Sequence, residues 1–101
     1  MKQQQQVAAF VDRNDIETPP AYRLLDVLGE LGEIAAEVNE TTGYGADPSA
    51  LSVPEDEIGD ALFALLALCE QLDIDADRAL SQALSKYDSR LDSNGTPASG
   101  R

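Results

Sequence analysis

Leu24-Leu25-Asp26-Val27-Leu28-Gly29-Glu30-Leu31-Gly32-Glu33-Ile34-Ala35-Ala36-Glu37-Val38 is the stretch that decides the fold. Leu24, Leu28, Leu31, Ala35 and Val38 recur at steps of three and four residues, and Val27 and Ile34 widen the stripe. This is the periodicity of a helix with one broad buried face. Thr18 before Pro19 and Pro20 supplies a start, since Thr can cap free amides and proline has no amide to leave unsatisfied in a first turn. The helix is expected from about Pro19 to Glu40, ending in the breaker-rich run Thr41-Thr42-Gly43-Tyr44-Gly45-Ala46-Asp47-Pro48.

The same period continues on both sides. Ser52-Val53-Pro54-Glu55 has the spacing of a capping box and opens an expected helix over roughly Val53 to Leu72. Asp75 is the expected cap of another, carried by Ala79, Leu80, Ala83, Leu84, Tyr87 and Leu91. Residues 3 to 13, with Val7, Ala8, Phe10 and Val11, read as a short amphipathic helix. Alternation of period two appears nowhere, so the expected class is all-α: a helical hairpin flanked by short N-terminal and C-terminal helices. The domain is expected over residues 1–91, with 92–101 a disordered tail. The two long helices are apolar on more than one face, with Phe63 and Leu66 opposite Leu62 and Leu65. A second copy is therefore expected to pair with the first into a four-helix bundle, as a homodimer or a dimer of dimers.

At 101 residues the chain is one small domain, and its formal charge of -12 at pH 7 repels phosphate backbones and anionic membrane surfaces. Nucleic acid and membranes are not expected partners; a multivalent cation is. Lys2 and Lys86 are the only lysines, and the acidic excess suits a halophilic surface in high salt. The absence of histidine excludes imidazole zinc sites and Ser-His-Asp triads within this chain. Cys69, alone in the apolar run from Ala61, reads as a small buried hydrophobe. That run is too short to span a bilayer, and the opening Met1-Lys2-Gln3-Gln4-Gln5-Gln6 lacks the apolar core of a signal peptide, so the expected location is cytoplasmic.

Asp26, Glu30, Glu33 and Glu37 follow steps of four, three and four, forming one acidic stripe at about 100° per residue. Taken alone, such a stripe is better explained by a solvated face than by a site. The helix after it changes the balance. There Glu57 and Asp60 begin a face that continues through Ala61, Ala64 and Ala67, and is therefore apolar. Acids at the mouth of a packed interior need raised pKa values or bound cations. Mg²⁺, a hard ion satisfied by carboxylate oxygens and water, is the expected one. Lys86 and Arg90 lie four residues apart on one helix face, the spacing of a surface ion-pair set or of two cations gripping a phosphate. Tyr87 reads as core. Tyr44, between two glycines, is open to two readings: stacking on a base, or packing over the ends of its own helices.

Glu30-Leu31-Gly32-Glu33 followed by Glu57-Ile58-Gly59-Asp60 resembles the E-x-x-E and E-x-x-D signature of the MazG-like nucleotide pyrophosphohydrolases, an all-α superfamily. The resemblance runs from about Val7 through Tyr22-Arg23-Leu24-Leu25 and Thr42-Gly43-Tyr44-Gly45 to Ser85-Lys86-Tyr87-Asp88-Ser89-Arg90. It implies hydrolysis of a nucleoside triphosphate to a monophosphate and pyrophosphate. By the same resemblance Mg²⁺, with Mn²⁺ as a substitute, is held by Glu30, Glu33, Glu57 and Asp60, Glu33 takes a proton, and Lys86 and Arg90 bind phosphate. Gly29 and Glu70 depart from the family's Glu and Asn, and an extra carboxylate at Glu70 is expected to disfavour a sugar or phosphate contact. The rival expectation is a helical assembly or regulatory module that keeps the fold without turnover.

Overall fold

The computed structural model describes residues 1–95, and every regular element among them is helical. Helix α1 spans Lys2–Arg13, α2 Pro20–Thr41, α3 Glu55–Gln71 and α4 Ala76–Asn94, with a single 3-10 turn at Pro48–Ala50. Helices α2 and α3 form the expected antiparallel hairpin. Arg23 near the start of α2 bonds to Gln71 at the end of α3, and Thr41 at the end of α2 accepts from the Ser52 amide just before α3. Helix α1 lies against α3, where Phe10 meets Phe63 edge-on with centroids 5.8 Å apart.

The core is thin. Val11 of α1, Val27 of α2, and Ala64, Leu66 and Ala67 of α3 are its buried apolar residues. Ala64 and Ala67 of α3 are small and buried, and Phe63, met by Phe10 of α1, is half-buried. The other faces stay open: Leu24, Leu25, Leu28 and Leu31 on α2 and Ile58, Leu62 and Leu65 on α3 are all exposed. Helix α4 packs only marginally on the rest, leaving Leu80, Leu84, Tyr87 and Leu91 exposed along one side. The radius of gyration, 16.6 Å, exceeds the roughly 13 Å of a compact chain this long.

Two polar ties hold the helices in register. Gln4 is buried in α1 and donates to Glu70 Oε2 at 3.0 Å and to the Ile74 carbonyl at 2.8 Å, while its Oε1 accepts from the Ala76 amide at 2.8 Å. Arg23, also buried, donates to Gln71 Oε1 (2.9 Å), the Ile16 carbonyl (2.9 Å) and Asp26 Oδ2 (3.3 Å). Each of these two side chains thus finds, on separate segments, partners for the polar groups that its own burial would otherwise leave unpaired.

Several sequence expectations need correction. Thr18 and Ser52 cap nothing: Pro19 and Pro54 occupy the N-cap positions, and neither helix start has a side-chain cap bond. The Ser52 amide is committed to Thr41 instead. Asp75 does cap α4, accepting from the Asp77 and Arg78 amides. Helix α4 continues through Asp92 and Ser93 to Asn94 and closes on Gly95 at φ 71, taking in residues expected to belong to the tail. Residues 96–101 of that tail lie outside the described residues. Tyr87 is exposed rather than core, because α4 has no neighbour on that side, and Lys86 Nζ sits 5.2 Å from its ring centroid. Cys69 is half-buried.

Candidate metal centre

Glu30 and Glu33 stand one turn apart on α2, and Glu57 faces them from the first turn of α3, where three acids suit the positive end of the helix dipole. One carboxylate oxygen from each of Glu30, Glu33 and Glu57 lies within 4.8 Å of the others. Glu30 and Glu57 are half-buried and Glu33 is exposed. Oε2 of Glu30 and Oε2 of Glu57 are both shut off from water and have no hydrogen-bond donor. Burial pushes both carboxyls above the ordinary value of 4.5. For Glu30 the charges of Glu33 and Asp60 come next, then a hydrogen bond with Glu33 and the charge of Asp26. For Glu57 the hydrogen bond with Glu33 follows burial, then the charges of Glu33, Asp56 and Asp60.

Asp60 lies one turn beyond Glu57 and is exposed; its charge acts on both half-buried acids, although it is not in the tight group of three. Among the described residues no basic group pairs with any of these four acids. The donor set is wholly hard oxygen, two of its atoms are dry and unpartnered, and the carboxylates repel one another. These residues fit a hard divalent cation, whose charge and oxygen affinity would satisfy both deficits.

Of the residues expected at the site, Glu30, Glu33 and Glu57 come together and Asp60 adjoins them. Asp26, at the near end of the stripe, is held by Arg23. Lys86 and Arg90 sit on α4, which does not fold back along the hairpin, so the chain's own acids stand apart from them. Lys86 is exposed and Arg90 half-buried. Tyr44 packs over no helix end: its side chain is 85% exposed. Glu70 is corrected as a neighbour of the site. It lies about 15 Å further along α3 than Asp60, at ~1.5 Å per residue, and accepts a hydrogen bond from Gln4. Sequence periodicity marked neither Gln4 nor Arg23 as buried. A lone arginine between Tyr22 and Leu24 was the only signal, and Gln4 is indistinguishable from its glutamine neighbours.

An antiparallel helical hairpin with a cation-ready cluster of acids at its seam defines the class. The sequence profile of the MazG nucleotide pyrophosphohydrolase domain matches residues 20–93, and the chain belongs to that family. Nucleotide pyrophosphohydrolase activity, typically metal-dependent, is the activity of the family. The chain is also 40% identical over 75 residues to an uncharacterized protein, YpjD, of Bacillus subtilis (strain 168). That match covers 70% of this chain and 66% of the relative, just under two thirds of its length. No solved structure matches the chain. Among the described residues, no helix is long and apolar enough to cross a membrane.

Proposed function

We propose that this protein hydrolyses nucleoside triphosphates to nucleoside monophosphates and pyrophosphate, with Mg²⁺ held by Glu30, Glu33, Glu57 and Asp60. The observation that carries the reading is the pair of dry, donorless Oε2 atoms that Glu30 and Glu57 contribute from opposite helices. When bound, the metal would neutralise the triphosphate and lower the pKa of a water, easing its loss of a proton. The chain's own work is to hold and to move a proton. Glu33, the exposed member of the trio, accepts the proton of a water that attacks the α-phosphorus. The bond from that phosphorus to the α–β bridging oxygen breaks, and pyrophosphate leaves with the electron pair. No protein nucleophile is needed, which suits a chain without histidine.

The open apolar faces of α2, α3 and α4 support pairing with a second copy into a bundle. In that assembly α4 brings Lys86 and Arg90 to the phosphates bound at the partner copy. A cytoplasmic location accords with a nucleotide substrate. The test is pyrophosphate release from a panel of nucleoside triphosphates with Mg²⁺, comparing the parent with Asp60→Asn. Release by the parent and loss in the variant, with helicity retained, are expected. Thermal stabilisation by Mg²⁺ without pyrophosphate release would favour a non-catalytic helical module instead.

A further inference from the structure

The acids account for the phosphate end of a nucleotide and leave its base unaccounted for. Tyr44 is the most exposed large apolar side chain among the described residues, so its ring contributes almost nothing to the fold by burial. Its backbone is also costly. Gly43, Tyr44 and Gly45 have φ of 59°, 57° and 88°, three consecutive left-handed residues, and a glycine at the middle position would avoid the penalty a side chain incurs there.

The loop backbone that carries the ring is nevertheless firmly held. The Tyr44 amide donates to the Asn39 carbonyl at 2.7 Å, and the Asp47 amide to the Thr42 carbonyl at 2.9 Å. Thr42 is buried, donating through Oγ1 to the Val38 carbonyl (2.6 Å) and accepting from the Gly45 amide (3.0 Å). Thr41 Oγ1 donates to the Glu37 carbonyl at 2.7 Å and accepts from Ser52 at 3.1 Å, closing the loop on both sides. A solvated ring on so fully bonded a backbone binds a flat partner with little further ordering. The loop joins α2 to α3 at the end of the hairpin that carries Glu57. From Glu33 to Thr41 the axis advances about 12 Å at ~1.5 Å per residue, a span that a nucleoside reaching from an α-phosphate at the acids covers.

We propose that Tyr44 is the stacking platform for the nucleobase, a binding residue that tolerates any base because every base presents a π-face. This rests on the triphosphate reading above. No hydrogen-bonding side chain is invoked at the base edge, so the preference among bases set by this ring is shallow.

The test compares the parent, Tyr44→Gly and Tyr44→Phe for pyrophosphate release from ATP, GTP, CTP and UTP with Mg²⁺, and for inhibition by tripolyphosphate, which has no base. Tyr44→Gly suits the left-handed backbone, so its melting temperature is expected to equal or exceed the parent's. Its KM is expected to rise about tenfold or more for all four nucleotides, while the tripolyphosphate inhibition constant stays at the parent's value. Tyr44→Phe is expected to restore KM. An unchanged KM in Tyr44→Gly overturns the inference. So does a parallel rise in KM and the tripolyphosphate constant, which would mean a disturbed phosphate site, or a changed sedimentation coefficient, which would mean the ring is a contact between copies. A parent that releases no pyrophosphate overturns the enzyme reading and this inference with it; a working parent with an indifferent Tyr44→Gly overturns the inference alone.

Discussion

Arg23 Nε donates to Gln71 Oε1 at 2.9 Å, tying the first turns of α2 to the last residue of α3 through an arginine that is only 6% exposed. The same group holds the Ile16 carbonyl and Asp26, so its removal strands partners in three segments. Arg23→Ala is expected to lower stability by about 1.5–3 kcal/mol, the range for hydrogen bonds that involve a charged group. Arg23→Lys is expected to recover less than half, because one ammonium cannot reproduce a planar fork. Urea unfolding at fixed protein concentration measures both.

The acid cluster gives the metal-free protein a definite response to pH. Glu30 and Glu57 have folded-state values above 4.5, so between the ordinary and the raised values the folded chain holds protons that the unfolded chain has lost. Stability from these groups therefore falls as pH rises through the raised values and is recovered on acidification toward 4.5. Melting temperature measured across this window, without divalent ions, is expected to fall more steeply with pH in the parent than in Glu30→Gln. Equal slopes would show that Glu30 does not titrate in this way.

Salt and Mg²⁺ are expected to act separately. Monovalent salt screens the -12 charge spread over the surface, whereas carboxylates within 4.8 Å of one another repel at a range the ion atmosphere barely enters. Millimolar Mg²⁺ added at saturating monovalent salt is expected to raise the melting temperature still further, by the equivalent of about 2.7 kcal/mol at a hundredfold excess over its dissociation constant. Glu57→Gln is expected to shrink that increment and leave the salt response unchanged. Loss of both responses together would make these acids part of the general surface charge.

Glycine has opposite meanings at two positions. A Cβ at Gly29 in the middle of α2 meets nothing within 4 Å, and its φ is not in the left-handed region. Gly29→Ala is expected to stabilise the protein by about 0.5–1 kcal/mol through helix propensity. Gly43 has φ 59, and Gly43→Ala is expected to destabilise it by about 1–2 kcal/mol. Paired thermal melts decide both signs.

Helix number, order and approximate length were legible in the spacing of Leu24, Leu28, Leu31 and Val38 and their counterparts, because period is a local property. The same periodicity placed Glu30 and Glu33 on one face, and the apolar continuation after Glu57 pointed to partial burial, which its shielded Oε2 bears out. The failures are tertiary or stereochemical. Ser52 has no capping role because α3 starts at Glu55 with Pro54 at the N-cap position, two residues beyond it. Tyr87 keeps a helical apolar spacing, yet spacing says nothing about whether another helix arrives to cover it. The direction in which α4 leaves α3, and hence the distance between Lys86 and the acids, depends on one turn held by Gln4. A polar run of four glutamines gives no hint which of them turns inward.

That turn also fixes an order of assembly. The hairpin of α2 and α3 closes a short loop between neighbouring segments, whereas Gln4 reaches Glu70, Ile74 and Ala76 across 66 to 72 residues of chain. Distant closures carry the larger entropy loss before contacts reward it, so the α1 clasp is expected to form after the rate-limiting barrier. Gln4→Ala should then quicken unfolding and leave the refolding rate nearly unchanged, the chevron signature of a contact absent from the transition state. The clasp is a latch on the native state: it governs how long a folded molecule lasts, and has little say in how fast one is made.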